Sequence, residues 1–214
     1  GAAGLMAAGQ AAETGAETLL LEKMKRPGRK ICITGKGRCN ITNIAEISDF
    51  ISHFGKTGNF LRQPFARFFN NELMEFLDEL GLKQVKERGG RVFPASGKAP
   101  DVLKVLLKWL KQNGVEIKES SPVEELIIEA GRITGVVALG RKIPCDAVIL
   151  ATGGASYPVT GSTGDGYRLA GTAGHPTILI RPALVPRVTH GKRAAGIAEL
   201  NHRNHNDGLP VTGQ

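Results

Sequence analysis

The sequence has little cysteine, no long apolar run and no leader-like N-terminus. Three cysteines stand among 214 residues and none forms a C-x-x-C pair, which argues against a disulfide framework and a zinc site. No apolar run approaches the roughly 18 residues of a membrane helix. The N-terminus also lacks a charged segment followed by an apolar one, so no secretion signal is indicated. We therefore expect a cytoplasmic protein with reduced thiols, no metal centre and no membrane partner.

Acidic residues are missing from one stretch of a basic chain. The formal net charge is +8, and residues 23–38 hold seven Lys or Arg without one Asp or Glu. Nucleic-acid surfaces usually add exposed aromatic side chains or a recognisable module to their basic residues, and this stretch has no aromatic residue. Nucleic acid is therefore not the expected partner. The charge fits a solvated loop and a loop folded over a bound pyrophosphate equally well.

Glycines at the start of the chain match part of a dinucleotide-binding motif. In a Rossmann βαβ unit the first strand ends in G-x-G-x-x-G, whose second glycine admits the pyrophosphate and whose third lets helix and strand pack closely. Gly1 and Gly4 fit those two positions, while the first strand and first glycine are absent. A helix over residues 5–14 would offer its free N–H groups to the pyrophosphate. Glu22, after the apolar run 19–21, is the carboxylate expected about 20 residues on to bind ribose hydroxyls.

The spacing of apolar residues predicts an α/β fold. Residues 28–43 hold too many glycines for a regular element and predict a long loop. Asn70 is predicted to be the N-cap of the helix that follows. A Rossmann-like parallel sheet with a small antiparallel β-meander accounts for the order of elements. The predicted helices cover residues 70–80, 101–113 and 166–173, and the predicted strands cover 84–86, 91–93, 115–118, 123–129, 133–139 and 147–151.

Four segments together resemble one family, the bacterial NAD(P)/FAD-dependent oxidoreductase flavoproteins with aminoacetone oxidase-like and bile-acid reductase-like members. The most specific segment is the string G-x-G-R-C-N-x-T-N at residues 35–43. The order and spacing of the segments agree with the family over residues 1–186. The segments are residues 1–8 with 19–23, residues 28–30 with 35–43, residues 90–94 before 98–99, and residues 151–154 running into 163–167.

The resemblance implies FAD, with its ADP half on the opening glycines and the carboxylate after them, under the basic glycine-rich loop. Arg29, Lys30 and Arg38 can neutralise phosphate charge. Gly35 and Gly37 let backbone N–H groups reach an anion. The implied cofactor site comprises Gly1, Ala2, Ala3, Gly4, Glu22, Lys23, Arg29, Lys30, Gly37, Arg38, Cys39, Asn40, Thr42, Val123, Thr152, Gly153, Gly154 and Asp165.

Several of these residues have a structural alternative. Residues 152–154 follow a predicted strand, and ligands of parallel sheets bind beyond the carboxyl ends of strands. Val123 either meets the adenine through its backbone or is an ordinary strand residue. Asp165 either caps the helix that follows or approaches the cofactor. Cys39 is favoured as a packing residue over a redox group, because no adjacent His or Cys would activate or resolve it. Trp109 is favoured in the core over a flavin stack.

The resemblance predicts an oxidoreductase that transfers hydride through a flavin to or from a small-molecule substrate, with NAD(P)H as a candidate electron donor. No side chain is assigned a catalytic role, because hydride transfer by a flavin needs no protein acid or base. Two alternatives stay open. One is a catalytically incompetent fragment of such a flavoprotein, and the other, ranked below it, is a basic nucleic-acid-binding protein. Neither a substrate nor an oligomeric state is assigned.

The same resemblance divides the chain into two parts. Residues 1–186 are expected to form an FAD-binding domain that lacks its first strand and its C-terminal return segment, as a truncated chain would. Residues 187–214 are polar and predict an irregular tail. This tail contains His190, His202 and His205, but without a nearby Cys or a standard ligand spacing they predict no metal site.

Overall fold

Helices and short strands are interspersed through residues 1–180, the part of the chain that the computed structural model describes. In chain order the helices are α1 (Ala2–Glu13), α2 (Arg29–Ile33), α3 (Ile47–Ser52), α4 (Arg62–Arg67), α5 (Asn70–Glu79), α6 (Ala99–Gln112) and α7 (Asp165–Thr172). The strands are β1 (Leu19–Leu21), β2 (Thr42–Asn43), β3 (Gln84–Lys86), β4 (Arg91–Pro94), β5 (Glu116–Lys118), β6 (Val123–Glu129), β7 (Arg132–Ala138) and β8 (Arg141–Pro144). The predicted boundary at residue 186 and the predicted tail lie outside the described residues.

The described strands form a parallel pair and two antiparallel sheets. β1 and β5 pair in parallel, with Leu20 opposite Ile117. β4 lies between β2 and β3, and β6, β7 and β8 form a meander in that order. The predicted α/β class, with parallel strands and a separate antiparallel meander, is confirmed. No helix within residues 1–180 has both the length and the apolar character that a bilayer crossing requires.

The core lies between α1, α5 and α6. The Trp109 ring packs edge-on against Phe76, with ring centroids 4.9 Å apart. Its indole N–H donates to the Glu13 carboxylate at 2.7 Å, which satisfies the one polar group of this buried side chain. The ring also lies directly over Gly9 of α1, where any side chain would overlap it. The core position predicted for Trp109 is therefore confirmed.

One predicted helix start and one predicted N-cap are wrong. α1 begins at Ala2 rather than at residue 5, so the opening glycine motif forms the first helical turn. α5 begins at Asn70 itself, and its N-cap is Phe69. The Asn70 side-chain amide donates to the carbonyl oxygens of Asn43 and Ala45, at 2.8 and 3.0 Å. Asn70 is buried, so its side-chain amide needs acceptors, and meeting these two carbonyls takes the side chain away from the cap.

The prediction of an irregular loop over residues 28–43 is wrong in part. α2 and a 3-10 turn at Thr34–Gly37 occupy its first half. Ile31 is buried in the core, and Gly28 lies so close to Leu103 of α6 that any side chain there would overlap. A five-residue helix is too short to be stable alone, so tertiary packing holds it. Such a helix is also too short to show a periodic apolar pattern.

The strand predicted over residues 147–151 is not formed. The segment has no regular secondary structure and pairs with no strand among the described residues. Ile149 is 65% exposed and Leu150 is 40% exposed, which contradicts a buried strand. A strand requires a hydrogen-bonded neighbour as well as apolar side chains, and the sequence pattern reports only the side chains.

Replacing Gly9 with alanine is expected to destabilise the protein by about 1–3 kcal/mol, because the new methyl group would overpack the core against Trp109. The matched control is Gly171→Ala in α7, where an added Cβ meets nothing within 4 Å. There the greater helix propensity of alanine is expected to leave stability unchanged or raise it by up to about 1 kcal/mol. Urea unfolding of both variants measures the difference. Equal or greater stability of the Gly9 variant would contradict the packing.

Candidate functional site

The first turn of α1 presents unpaired backbone donors. Its N–H groups at Ala2, Ala3 and Gly4 have no intrahelical acceptor, and no side chain caps them. A Cβ on Gly1 would meet nothing within 4 Å. A Cβ on Gly4 would lie 3.4 Å from the Ala151 Cβ, an ordinary contact distance. The helix start therefore lies against Ala151 and offers free backbone donors, as the predicted anion site requires.

Glu22 is held at the same end of α1. Its Oε2 lies 3.7 Å from the Gly1 nitrogen, and its Oε1 accepts the Met24 N–H at 2.9 Å. The side chain is 14% exposed. The backbone N–H of Glu22 donates to Lys118 and its carbonyl accepts from Ser121, both at 2.9 Å. These contacts direct one carboxylate oxygen towards the start of α1, as the ribose-binding role requires.

Two lysines predicted to lie at the cofactor donate to a loop that follows residues 152–154. Lys23 Nζ donates to Thr163 Oγ1 at 2.6 Å and to Asp165 Oδ2 at 2.7 Å. Lys30 Nζ donates to the Ser156 carbonyl at 3.0 Å and to Ser162 Oγ at 2.7 Å. The segment after Glu22 and the loop after residue 152 are therefore in direct contact.

The remaining loop cations take different positions. The Arg38 guanidinium pairs with Glu87 and lies over the Phe93 ring, 4.2 Å from its centroid. The Arg38 hydrogen bond lowers the pKa of the Glu87 carboxyl. Arg29 is exposed, and it forms no hydrogen bond or ion pair within residues 1–180. Of the three cations predicted to meet phosphate, Arg29 is thus the one without a protein acceptor among the described residues.

The rest of the glycine-rich loop has mixed environments. Cys39 is buried in a left-handed conformation, at φ 61°, and burial raises the pKa of its thiol, although a hydrogen bond from Thr34 opposes this. A thiol in that state is a poor nucleophile. Asn40 is exposed, Gly37 is exposed at φ 83°, and Thr42 lies in β2 opposite Val92.

Among residues 1–180, no three His, Cys, Asp or Glu side chains gather as a metal site.

Residues 152–154 form a close turn beyond the unpaired segment 147–151. Gly153 has φ 76°, and a Cβ there would lie 3.0 Å from Ser162 Oγ. The Gly154 carbonyl accepts the Gly164 N–H at 3.2 Å. The Thr152 hydroxyl lies so near Gly166 that any side chain on Gly166 would overlap the hydroxyl. The turn thus packs directly against the start of α7.

Asp165 is the first residue of α7, so the prediction that it caps the helix is wrong. The N-cap is Gly164, and no side chain caps the helix. The Lys23 hydrogen bond lowers the pKa of the Asp165 carboxyl, against a smaller effect of desolvation, and the Thr163 hydroxyl adds to the lowering. A carboxylate in the first helical turn also interacts favourably with the helix dipole.

Val123 begins β6 opposite Ala138 and is half-buried. The next residue, Glu124, accepts a hydrogen bond from Arg168 of α7 through its carbonyl oxygen, at 2.8 Å. The start of the meander is therefore tied to α7. This contact brings Val123 into the same region as Asp165 without assigning it a ligand.

Comparison with known proteins gives the family. Residues 1–195 match the family described as HI0933-like protein Rossmann domain. The chain belongs to this family. It is also 39% identical over 187 residues to the 3-dehydro-bile acid delta(4,6)-reductase of Clostridium scindens, which covers 86% of this chain and 45% of that protein.

More distant relatives carry a different name. The ribosomal RNA dihydrouridine synthase of Haemophilus influenzae is 31% identical over 189 residues, covering 87% of this chain and 46% of that protein. Among solved structures, the L-proline dehydrogenase of P. horikoshii is similar with a TM-score of 0.47 and 14% identity, over 81% of this chain and 54% of that one. The chain spans about half the length of the curated relatives it matches.

Membership of the HI0933-like family supports the flavin cofactor and the oxidoreductase class that the sequence predicts. It identifies no substrate. The individual site residues stay predictions, although the structure brings the opening glycines, Glu22, Lys23, Lys30, residues 152–154 and Asp165 into one connected region.

Three polar residues of this region were missed by the sequence predictions, namely Ser156, Ser162 and Thr163. Ser162 is 6% exposed, which is unusual for a serine in a loop. The signal available in the sequence was the density of glycines and small polar residues between 153 and 166. That composition indicates close backbone packing, but it does not show which side chains are buried.

The pair between Lys23 and Asp165 predicts a pH-dependent contribution to stability. Because the folded-state pKa of Asp165 is lowered, the pair stabilises the fold above the ordinary pKa and loses its effect as the pH falls through the folded-state pKa. Asp165→Asn is therefore expected to cost up to about 1 kcal/mol at pH 7, since both partners are partly exposed, and progressively less as the pH falls below the ordinary pKa of an aspartate.

Urea unfolding of the wild type and Asp165→Asn across this pH range measures that difference. The control is Asp78→Asn, which removes a more exposed pair with Lys83 and is expected to change stability little at any pH. A cost for Asp165→Asn that is the same at both ends of the range would show that the pair is not responsible.

Proposed function

We propose that this chain is the FAD-binding part of a flavin-dependent oxidoreductase. The observation that carries the proposal is the position of Glu22, whose Oε2 lies 3.7 Å from the nitrogen of Gly1 at the start of α1. A carboxylate beside a free helix N-terminus is the arrangement that binds the ribose and diphosphate of an adenine dinucleotide.

The residues present fit the ADP half of such a cofactor. The N–H groups of Ala2, Ala3 and Gly4 are free to hold a diphosphate, and a Cβ on Gly1 would meet nothing within 4 Å. Glu22 keeps one carboxylate oxygen turned to the start of α1 while the other is engaged by Met24. Arg29 is exposed and supplies a cation for phosphate charge.

When bound, a flavin supplies hydride transfer, while the protein supplies binding, orientation and electrostatics. In this proposal the start of α1 fixes the diphosphate, Glu22 fixes the ribose, and the turn at 152–154 borders the cofactor. NAD(P)H is proposed as the electron donor. We assign no proton-transfer step to any acid or base among the described residues.

The names of the relatives suggest a class of substrate. A 3-dehydro bile acid with a delta-4 bond is an enone, and dihydrouridine is uridine with its ring double bond saturated. Both reactions therefore reduce a carbon–carbon double bond conjugated with a carbonyl group. We propose the same reaction class here, on a small molecule, which adds a hydride and a proton across the double bond.

The cofactor proposal predicts a visible flavin spectrum after reconstitution with FAD. Replacing Glu22 with glutamine is expected to weaken FAD binding about tenfold, because the ribose hydroxyls lose a charged acceptor. Glu17→Gln is the matched control, since Glu17 is exposed just before β1. Flavin fluorescence titration measures the dissociation constants, and a rise in melting temperature with FAD shows that the folded state binds it. A wild-type chain without flavin absorption or thermal shift would refute the proposal.

A second candidate substrate is a uridine within RNA. Residues 47–69 form an aromatic lobe, in which Phe50 contacts Phe65 and Phe69 at centroid distances of 5.6 and 5.1 Å. Phe60 projects from the lobe at 84% exposure. Arg62 is exposed beside it in sequence, and residues 53–69 contain no Asp or Glu. Exposed aromatic and basic side chains together are typical of surfaces that bind single-stranded nucleic acid.

The RNA candidate predicts that a short uridine-rich RNA binds the wild-type chain and that binding weakens as salt rises. Phe60→Ala is expected to weaken it about 5- to 100-fold, because one base loses its stacking partner. Val159→Ala, at another exposed apolar side chain, is the control and should bind like the wild type. Fluorescence anisotropy measures both. Absence of RNA binding at low salt would leave the small-molecule substrate as the sole candidate.

A further inference from the structure

Lys30 connects α2 to the loop beyond the glycine turn. Its Nζ donates to the Ser156 carbonyl at 3.0 Å and to Ser162 Oγ at 2.7 Å. The Ser162 side chain is buried, whereas Lys30 is partly exposed. The ammonium is therefore directed into the protein by two acceptors that lie on the same loop.

Ser162 in turn supports the turn at residues 152–154. Its Oγ lies 3.0 Å from the position that a Cβ on Gly153 would occupy. Gly153 has φ 76°, a conformation that glycine adopts without strain. The serine hydroxyl thus fills the space beside the glycine backbone, and Lys30 holds that hydroxyl in place.

A second set of contacts holds the same loop from the residues next to Glu22. Met24 packs on Gly161, where a Cβ would lie 2.8 Å from the Met24 Cγ. Lys23 Nζ binds Thr163 and Asp165. Because Glu22 directly precedes these residues, the expected ribose ligand and the glycine turn are coupled through one short segment.

We propose that Lys30 is a positioning residue, which acts through Ser162 to hold the turn at 152–154 and does not bind the cofactor phosphate itself. The proposal rests on the FAD-binding function proposed above. Two of the three ammonium donors are engaged by the protein, and their acceptors fix the direction of the side chain. Lys30 therefore differs from Arg29, which is exposed and has no acceptor among the described residues.

A double-mutant cycle on Lys30 and Ser162 tests this inference. Lys30→Met and Ser162→Ala are each expected to weaken FAD binding about tenfold. The double variant is expected to be no weaker than Lys30→Met alone, because that substitution already breaks the connection that Ser162→Ala removes. Lys30→Arg keeps a donor for Ser162 and should recover most of the affinity. Lys104→Met, at an exposed lysine of α6, is the control and should bind like the wild type.

The outcome that overturns the inference is specific. If Lys30→Met weakens binding while Ser162→Ala binds like the wild type, and the loss shrinks as salt rises, Lys30 contacts the phosphate directly. Unchanged binding in both single variants would also overturn it. Similar melting temperatures of the variants without FAD show that a change in affinity does not arise from unfolding.

A measurement without cofactor separates this inference from the proposed function. Hydrogen exchange of the amides in residues 152–164 is expected to speed up in Lys30→Met and Ser162→Ala, while exchange in the β6–β7 hairpin stays constant. If the wild-type chain binds no FAD but exchange in residues 152–164 still speeds up in the variants, the proposed function is refuted and the positioning role is not. Unchanged exchange in the loop would refute the positioning role whatever the chain binds.

Discussion

Six residues of parallel strand determine where the nucleotide-binding elements meet. β1 and β5 come from distant parts of the chain and pair residue for residue. The pairing continues past both strands, where Glu22 donates to Lys118 and accepts from Ser121. Parallel strands end at the same edge of a sheet, so this short ladder carries Glu22 to the edge from which α2 departs. The contacts with the start of α1 and with the loop after residue 152 both depend on it.

The elements that the sequence predicts well are those whose signal is local. The opening glycines, the run 19–21 and Glu22 identify a βαβ fragment without reference to the rest of the chain, and the structure places them as that fragment requires. α2 was missed because Ile31 and Gly28 are stabilised by contacts with the core and α6. The strand at 147–151 was wrongly predicted because a pattern of apolar residues does not reveal whether a hydrogen-bonding neighbour is present.

At the candidate site, likewise, the sequence identifies the kind of side chain but not the group that it contacts. The sequence predicts that Lys23, Lys30 and Arg38 lie at the cofactor, but their charge alone does not identify the acceptors that they meet. Their acceptors lie 49 to 142 residues away along the chain, beyond the reach of any local pattern. For Asp165, the sequence predicts the helix start beside it but not its contact with Lys23. The position of Glu22 beside the start of α1 was predictable because the Rossmann spacing specifies it, while its ribose ligand stays a prediction.

The unpaired segment 147–151 has a consequence for the behaviour of the isolated chain. Its N–H and C=O groups meet no strand among the described residues, and Ile149 and Leu150 are turned to solvent. Such a backbone is a template onto which a further strand can be added, whether from a longer form of the polypeptide or from another molecule. Covering this one segment is therefore expected to suppress edge-to-edge strand pairing between molecules.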